Sequence, residues 1–207
     1  MLRRLAALAA LTGLGLAAVV PGPASAGCGL SSSGPGARFR SGTVATAPIL
    51  VYGDSITFQV AERLVALRPE VAVDAWPGRR TRDAVEALLR DVEGRPAPRV
   101  VVMAMGTNDT RWPEQVGALA RLARAGAPAG TRVLWLTTYA EPWPGWERVN
   151  AELAAVPGVE LLDWEGANRA ARADGSSSPL LVDGVHLACP GADAWLDLVG
   201  TAVSRRS

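Results

Sequence analysis

From position 48 onward the chain alternates between short apolar runs and stretches in which apolar residues recur three or four positions apart. Ile49, Leu50, Val51 and Tyr52 form the first run, stopped by Gly53 and Asp54; Val60, Ala61, Leu64 and Val65 then mark one face of a helix. Val71 to Trp76, Arg99 to Met105, Arg132 to Thr138 and Val159 to Trp164 predict four further strands. Between them, Ala84, Val85, Leu88, Leu89 and Val92 mark a second helix. Val116, Leu119, Ala120 and Ala123 mark a third, ended by Gly126 and Pro128, and Val149, Leu153 and Val156 a short fourth. Trp195, Leu196, Val199 and Val203 mark the last. The run RVVVMAM does not alternate, which is the pattern of a strand buried on both faces. Strands alternating with helices across short connections predict a five-stranded parallel sheet between helical layers, one three-layer α/β/α domain over 48–207.

What precedes that domain reads differently. Residues 27–47 are rich in Gly, Ser and Ala with little apolar pattern and are expected to form a flexible arm. Residues 1–26 have the three parts of a secretory signal peptide: Arg3 and Arg4, the apolar stretch from Leu5 to Val20, and Ala24-Ser25-Ala26 as a cleavage site. The apolar stretch is short for a membrane span and is followed by Pro21 and Pro23. The expectation is a secreted protein with no stable membrane insertion after cleavage, and a monomer. With 207 residues, 49% hydrophobic and 20% charged, the chain suits one domain with a sizeable core. Its net charge of +1 and the lack of a basic block give no reason to expect a nucleic-acid partner.

Parallel sheets of this kind bind ligands outside the carboxyl ends of their strands, so the chemistry is sought in the loops that follow them. Ser55 follows the first strand and begins a helix, where unpaired backbone N–H groups would meet the charge developed by a nucleophile. An N-capping serine would stand at the same place. After the third strand comes Gly106-Thr107-Asn108-Asp109, in which Asn108 could donate to an oxyanion or simply make an Asx turn. After the second comes Trp76-Pro77-Gly78-Arg79, where Gly78 could offer a backbone N–H or only a Pro-Gly turn. Near the end stands Asp183-Gly184-Val185-His186. His186 is the sole histidine, so any histidine mechanism must use it, and Asp183 is spaced to hold its second ring nitrogen.

Together these four blocks resemble the SGNH hydrolases, also called the GDSL esterases, with Ile56 standing where the family name has leucine. The resemblance runs from about Pro48 to Val203 and implies the flavodoxin-like sheet of five parallel strands already expected from the pattern. It implies Ser55 as nucleophile, His186 as general base then acid, and Asp183 as the residue that orients it. It implies an oxyanion hole from the backbone N–H groups of Ser55 and Gly78 and the side chain of Asn108. The reaction implied is hydrolysis of a carboxylic ester through an acyl-enzyme, with no metal and no cofactor. The segment from Trp146 to His186, with Asn150, also resembles the extracellular domains of peptidoglycan O-acetyltransferases. Transfer to a glycan is therefore a second expectation, ranked lower because those domains are usually joined to membrane modules. A lysophospholipase-like lipid esterase is a further alternative, and a third reading, from a different class, is a non-catalytic binding module on a degenerate hydrolase fold, against which the complete tetrad argues.

Two expectations concern other residues. Cys28 and Cys189 are the only cysteines, and secretion would lead them to pair; the rival is lipidation of Cys28, since Ser25-Ala26-Gly27-Cys28 faintly resembles a lipobox. Of the seven tryptophans, Trp76, Trp112, Trp143, Trp146 and Trp164 fall at or after strand ends. Trp164 is expected to staple a loop. Trp143 and Trp146, in the Pro-rich EPWPGWE, are expected to be exposed and to bind a small-molecule or glycan ester substrate, with a short acyl group such as acetyl on a carbohydrate or other polar carrier.

Overall fold

The computed structural model of the protein describes residues 28–205 apart from positions 32, 33, 35 and 174; the signal peptide expected over 1–26 lies outside them. The elements run β1 (Phe39–Arg40), β2 (Ile49–Gly53), α1 (Ser55–Leu67), β3 (Val71–Ala75), α2 (Thr81–Val92), β4 (Val100–Ala104), a short 3₁₀ turn (Thr107–Asp109), α3 (Pro113–Gly126), β5 (Arg132–Leu136), α4 (Trp146–Ala154), β6 (Val159–Leu162), α5 (Trp164–Ala171) and α6 (Cys189–Ser204).

The sheet has six strands in the order β1-β3-β2-β4-β5-β6. Five are parallel, as the pattern predicts. The sixth, β1, pairs antiparallel with β3, placing Phe39 opposite Ala75 and Arg40 opposite Asp74. It comes from the segment expected to be a flexible arm. That expectation is corrected: two arm residues complete the sheet edge, Val44 and Ala47 are buried, and Arg38 and Arg40 both pair with Asp74. A two-residue strand leaves no periodicity to read, and what holds it is a carboxylate on another strand.

Alternation along the strands divides the interior into two cores. Ile49 and Val51, with Val71, Val73, Val100, Val102, Leu134 and Leu136, pack against Val60, Ala61 and Leu64 of α1 and Trp195, Val199 and Val203 of α6. Leu50 and Tyr52, with Ala72, Val101, Met103 and Trp135, pack against Ala84, Val85 and Leu88 of α2, Val116 and Ala120 of α3, and Val149 and Leu153 of α4. The helix faces expected from the sequence are the faces that meet the sheet. Helix α5 was not expected; it is short and is started by Asp163, whose side chain accepts from the Gly166 N–H at 2.7 Å. Among the described residues no helix is long and apolar enough to cross a membrane.

Cys28 and Cys189 form a disulfide with their Cα atoms 5.5 Å apart across 161 residues of sequence. The bond occupies the sulfur that lipidation of Cys28 would need. It ties the chain before β1 to the first residue of α6, three positions beyond His186. Loop-closure entropy places its contribution at about 5 kcal/mol, an upper figure because unfolded chains keep some structure. Oxidised protein should therefore weigh two hydrogens less than the reduced chain. Replacing both cysteines by serine should lower the urea midpoint markedly, and an unchanged midpoint would show the bond to be energetically idle.

Candidate active site

The order of the sheet decides where the site lies. From β2 the chain steps outward to β3, then returns to β4 on the other side of β2 and continues to β5 and β6. The loops after β2 and β4 therefore diverge, one leading to α1 and the other to the 3₁₀ turn, and open a crevice between neighbouring strands at the carboxyl edge. Ser55 and Asn108 stand on those two loops.

Gly53 ends β2 because a Cβ there would lie 2.0 Å from the Thr57 hydroxyl, so the backbone can turn into α1 only without a side chain. Asp54 caps the helix, its carboxylate accepting from the Ile56 N–H at 3.0 Å. Ser55 is the first helical residue, so its N–H belongs to those the helix leaves unpaired. The Ser55 Oγ lies 3.1 Å from His186 Nε2, and His186 Nδ1 lies 2.7 Å from Asp183 Oδ2. The other carboxylate oxygen of Asp183 accepts the N–H groups of Val185 and His186 at 3.0 and 2.7 Å, so one side chain shapes the loop and holds the ring. Burial works against the charge on Asp183, but the bonds from the His186 ring and backbone outweigh it and hold the carboxyl below the usual aspartate range. The His186 loop is itself pinned: the Leu187 N–H donates to Gln59 Oε1 on α1 at 3.0 Å, and the Glu141 N–H donates to the Gly184 carbonyl at 2.9 Å.

Asn108 joins the remaining two blocks. Its Nδ2 donates to the Arg79 carbonyl at 3.0 Å, beside Gly78, and lies 3.5 Å from Asp54 Oδ2, a long contact. Gly78 sits in a turn with φ +75°, the left-handed region that glycine enters without strain. Asp109 anchors the same turn to α2, accepting both the N–H and the hydroxyl of Thr81 at 2.7 Å. The structure thus brings Ser55, His186, Asp183, Asn108 and the Gly78 loop to one edge.

Two features were not found from the sequence. Beneath the Gly78 loop, Arg79 is fully buried; its guanidinium lies 3.2 Å from Asp74 Oδ2 and 3.7 Å from the centre of the Trp76 ring, whose surroundings also include Arg38 at 4.4 Å. Burial pushes Arg79 down to about 10, with Asp74 opposing, so it stays charged at neutral pH. The signal was present in VAVDA: a carboxylate in an apolar strand demands a cationic partner. The second is the role of Asn150, named above only within a resemblance: its amide bonds both the N–H and the carbonyl of Thr138 at 2.7 and 2.8 Å and latches α4 to the end of β5.

The tryptophans divide. Trp143 is 39% exposed and lines a groove beside Asn108, and Trp112, at 40%, lines it too. Trp164 is buried at the start of α5, as a staple would be. Trp146 corrects the sequence reading: it begins α4 and is buried, with its ring 5.1 Å from Tyr139 and under the guanidinium of Arg169. A helix start turned its ring inward, which the loop-like PWPGW did not reveal. Trp146→Ala should cost about 3–5 kcal/mol of stability, the usual cost of emptying a core aromatic site. Trp143→Ala should leave the unfolding midpoint nearly unchanged and raise KM for a glycan ester several-fold; urea unfolding and steady-state kinetics on the two variants check this.

Asp54 adds a pH dependence. Burial is the main cause lifting its carboxyl from 3.8 to about 6; the Ile56 N–H, His186 and the Thr107 hydroxyl oppose that lift and Asp109 adds to it. Because the folded value lies above the unfolded one, the folded chain binds this proton more tightly between pH about 4 and 6. The associated stability is full below that window and is lost as pH rises through it, by about 3 kcal/mol. Asp54→Asn keeps an acceptor for the Ile56 N–H and should flatten that part of the stability profile, measured as urea midpoints from pH 4 to 7. An unaltered profile would mean that another group sets it.

Comparison with known proteins agrees with this architecture. No family model matches the chain. The peptidoglycan O-acetyltransferase OatA of Listeria monocytogenes is 26% identical over 168 residues, which is 79% of this chain; the chain spans a quarter of that protein's length, 25%. Among solved structures, the C-terminal catalytic domain of peptidoglycan O-acetyltransferase A from Streptococcus pneumoniae, carrying a methylsulfonyl adduct, superposes with a TM-score of 0.61 at 20% identity and covers 76% of this chain and 93% of that one. A member of the lipolytic G-D-S-L family from Veillonella parvula gives a TM-score of 0.60 at 17% identity, over 76% of this chain and 98% of its own. By fold the chain stands with the SGNH, or GDSL, hydrolases, the family that its four sequence blocks resemble.

Proposed function

We propose that the protein is an extracytoplasmic serine esterase that cleaves short-chain esters, most readily acetyl, from a carbohydrate carrier. The observation that carries this reading is the hydrogen-bonded line from Ser55 Oγ through His186 to Asp183, with contacts of 3.1 and 2.7 Å. In the reaction, His186 Nε2 takes the Ser55 proton as Oγ bonds the ester carbonyl carbon. The carbonyl oxygen then carries negative charge, for which the Ser55 N–H, the Gly78 N–H and the second Asn108 N–H serve as donors. Collapse of the tetrahedral species breaks the bond to the alcohol, which leaves with the proton from His186. Water, deprotonated by the same ring, releases the acid and restores Ser55. Asp183 stays ionised throughout and stabilises the imidazolium.

Short acyl groups are favoured because the groove at Asn108 is lined by arginine, tryptophan, proline, threonine and asparagine with no aliphatic side chain, and the apolar cavity reaching Ile56 and Thr107 holds only about 20 Å³. The disulfide supports a location outside the reducing cytoplasm. Transfer of acetyl to a glycan hydroxyl is the second reading, favoured by the likeness to two O-acetyltransferases. It uses the same acyl-enzyme with a sugar hydroxyl in place of water.

The test is a series of acetyl, butyryl and long-chain esters with and without a glycan acceptor, together with labelling by a fluorophosphonate. Labelling confined to Ser55 and fastest release from acetyl esters are the expected results. Faster cleavage of long chains would overturn the short-chain reading. Acetyl appearing on the acceptor faster than as free acetate would decide for transfer.

A further inference from the structure

We infer that the groove beside Asn108 selects a carrier bearing carboxylates, an acidic acetylated glycan, through Arg80 and Arg111. The inference rests on the esterase reading above and names its substrate class. The groove has a volume of about 400 Å³, and besides Asn108 its walls include Arg80, Arg111, Trp112 and Trp143. No acidic side chain lines it. The guanidinium of Arg80 lies over the Trp112 ring, 4.5 Å from its centre. A guanidinium held by its flat face against an indole keeps its in-plane N–H donors free, and those donors can meet a carboxylate edge to edge.

Both arginines lack an ionic partner among the described residues, whereas Arg38, Arg40, Arg63, Arg68, Arg79, Arg132, Arg148 and Arg169 each pair with an aspartate or glutamate. The acids nearby make no ion pair with either arginine. Asp83 and Asp109 line an adjoining pocket with Arg80 and Arg82, but Asp109 accepts twice from Thr81 and Asp83 accepts the Arg80 backbone N–H at 3.4 Å. Glu114 pairs with Arg148. The groove thus combines the Trp143 indole, suited to the flat side of a sugar ring, with two arginines that make no ion pair among the described residues, one of them stacked over Trp112. A neutral glycan would use the first and leave the second idle.

The experiment compares kcat/KM on acetylated polygalacturonate, O-acetylated peptidoglycan and acetylated glucomannan, which is neutral, for the wild type and for Arg80→Gln and Arg111→Gln. Arg121→Gln, an exposed arginine of α3 outside the groove, is the control. The wild type should prefer a carboxylate-bearing polymer at least tenfold, and the preference should shrink as salt rises. Each groove variant should cut it by about tenfold, mainly through KM, while the control keeps it. Whichever acidic polymer is faster identifies a uronate or a lactyl carboxylate as the group read. If glucomannan is cleaved as fast as both acidic polymers, or the groove variants keep the preference, the inference is overturned while the esterase reading stands. If p-nitrophenyl acetate is cleaved but no polymer is, the carbohydrate reading and the inference fall together. If even p-nitrophenyl acetate is untouched, the esterase reading itself is gone.

Discussion

Ser55→Ala should reduce ester hydrolysis by about a millionfold in kcat, the size of loss seen when a nucleophile is removed from a serine–histidine–aspartate unit. The hydroxyl is the only atom of the site that bonds the acyl carbon, and His186 Nε2 has nothing to deprotonate without it. The fold should not suffer. Ser55 is 7% exposed, but its Oγ bonds His186 and its loss removes one hydroxyl and no apolar group, so the unfolding midpoint should stay within the error of measurement. His186→Ala should lose nearly as much, and the double variant no more than either single one, because the two side chains perform one proton transfer. Rates at enzyme concentrations high enough to exclude trace contamination decide the matter. A Ser55→Ala protein retaining a hundredth of the wild-type kcat would end the mechanism proposed above.

Asp183→Asn should be the second largest loss, about 10³–10⁴-fold in kcat with KM little altered. The reason lies in which bonds the amide can keep. Its oxygen can still accept from the Val185 and His186 backbone N–H groups, as Oδ1 does now at 3.0 and 2.7 Å, so the loop should hold its shape. Its NH₂ group, however, would face His186 Nδ1, where the carboxylate accepts at 2.7 Å. A donor there forces the ring proton onto Nε2, the nitrogen facing Ser55, and a protonated Nε2 cannot take the serine proton. Asp183→Ala provides the comparison. The Asp183 side chain is 53% exposed, so water can replace the missing acceptor and preserve the tautomer, and kcat should exceed that of the asparagine variant. If the asparagine variant is within tenfold of wild type, orientation of His186 does not depend on Asp183.

Much of this site was legible as residue types in sequence order. A serine after an apolar run and before helical spacing, a lone histidine three positions from an aspartate, and an asparagine after a glycine at a strand end each carry their chemistry locally. Arg79 was not legible, because nothing in its neighbours says that a guanidinium will be buried; the demand for it sits in Asp74, five positions earlier and on a strand. Trp146 was misread for a related reason. Exposure was judged from the prolines around it, while burial followed from α4 packing against Tyr139 and Arg169.

By itself, then, the sequence determined the alternation of strands and helices, the apolar face of each main helix, and the identity of the groups able to attack, to carry a proton and to stabilise charge. These follow from period and side-chain chemistry, which are properties of neighbouring residues. Only the tertiary structure decided that β4 lies beside β2, so that Ser55 and Asn108 share one crevice, and that β1 closes the edge beside β3. Only it decided that Trp112 and Trp143 face the groove while Trp146 enters the core. Strand order and burial are set by contacts between segments far apart in the chain, and the free energy of those contacts belongs to pairs of surfaces, which no single stretch of sequence contains.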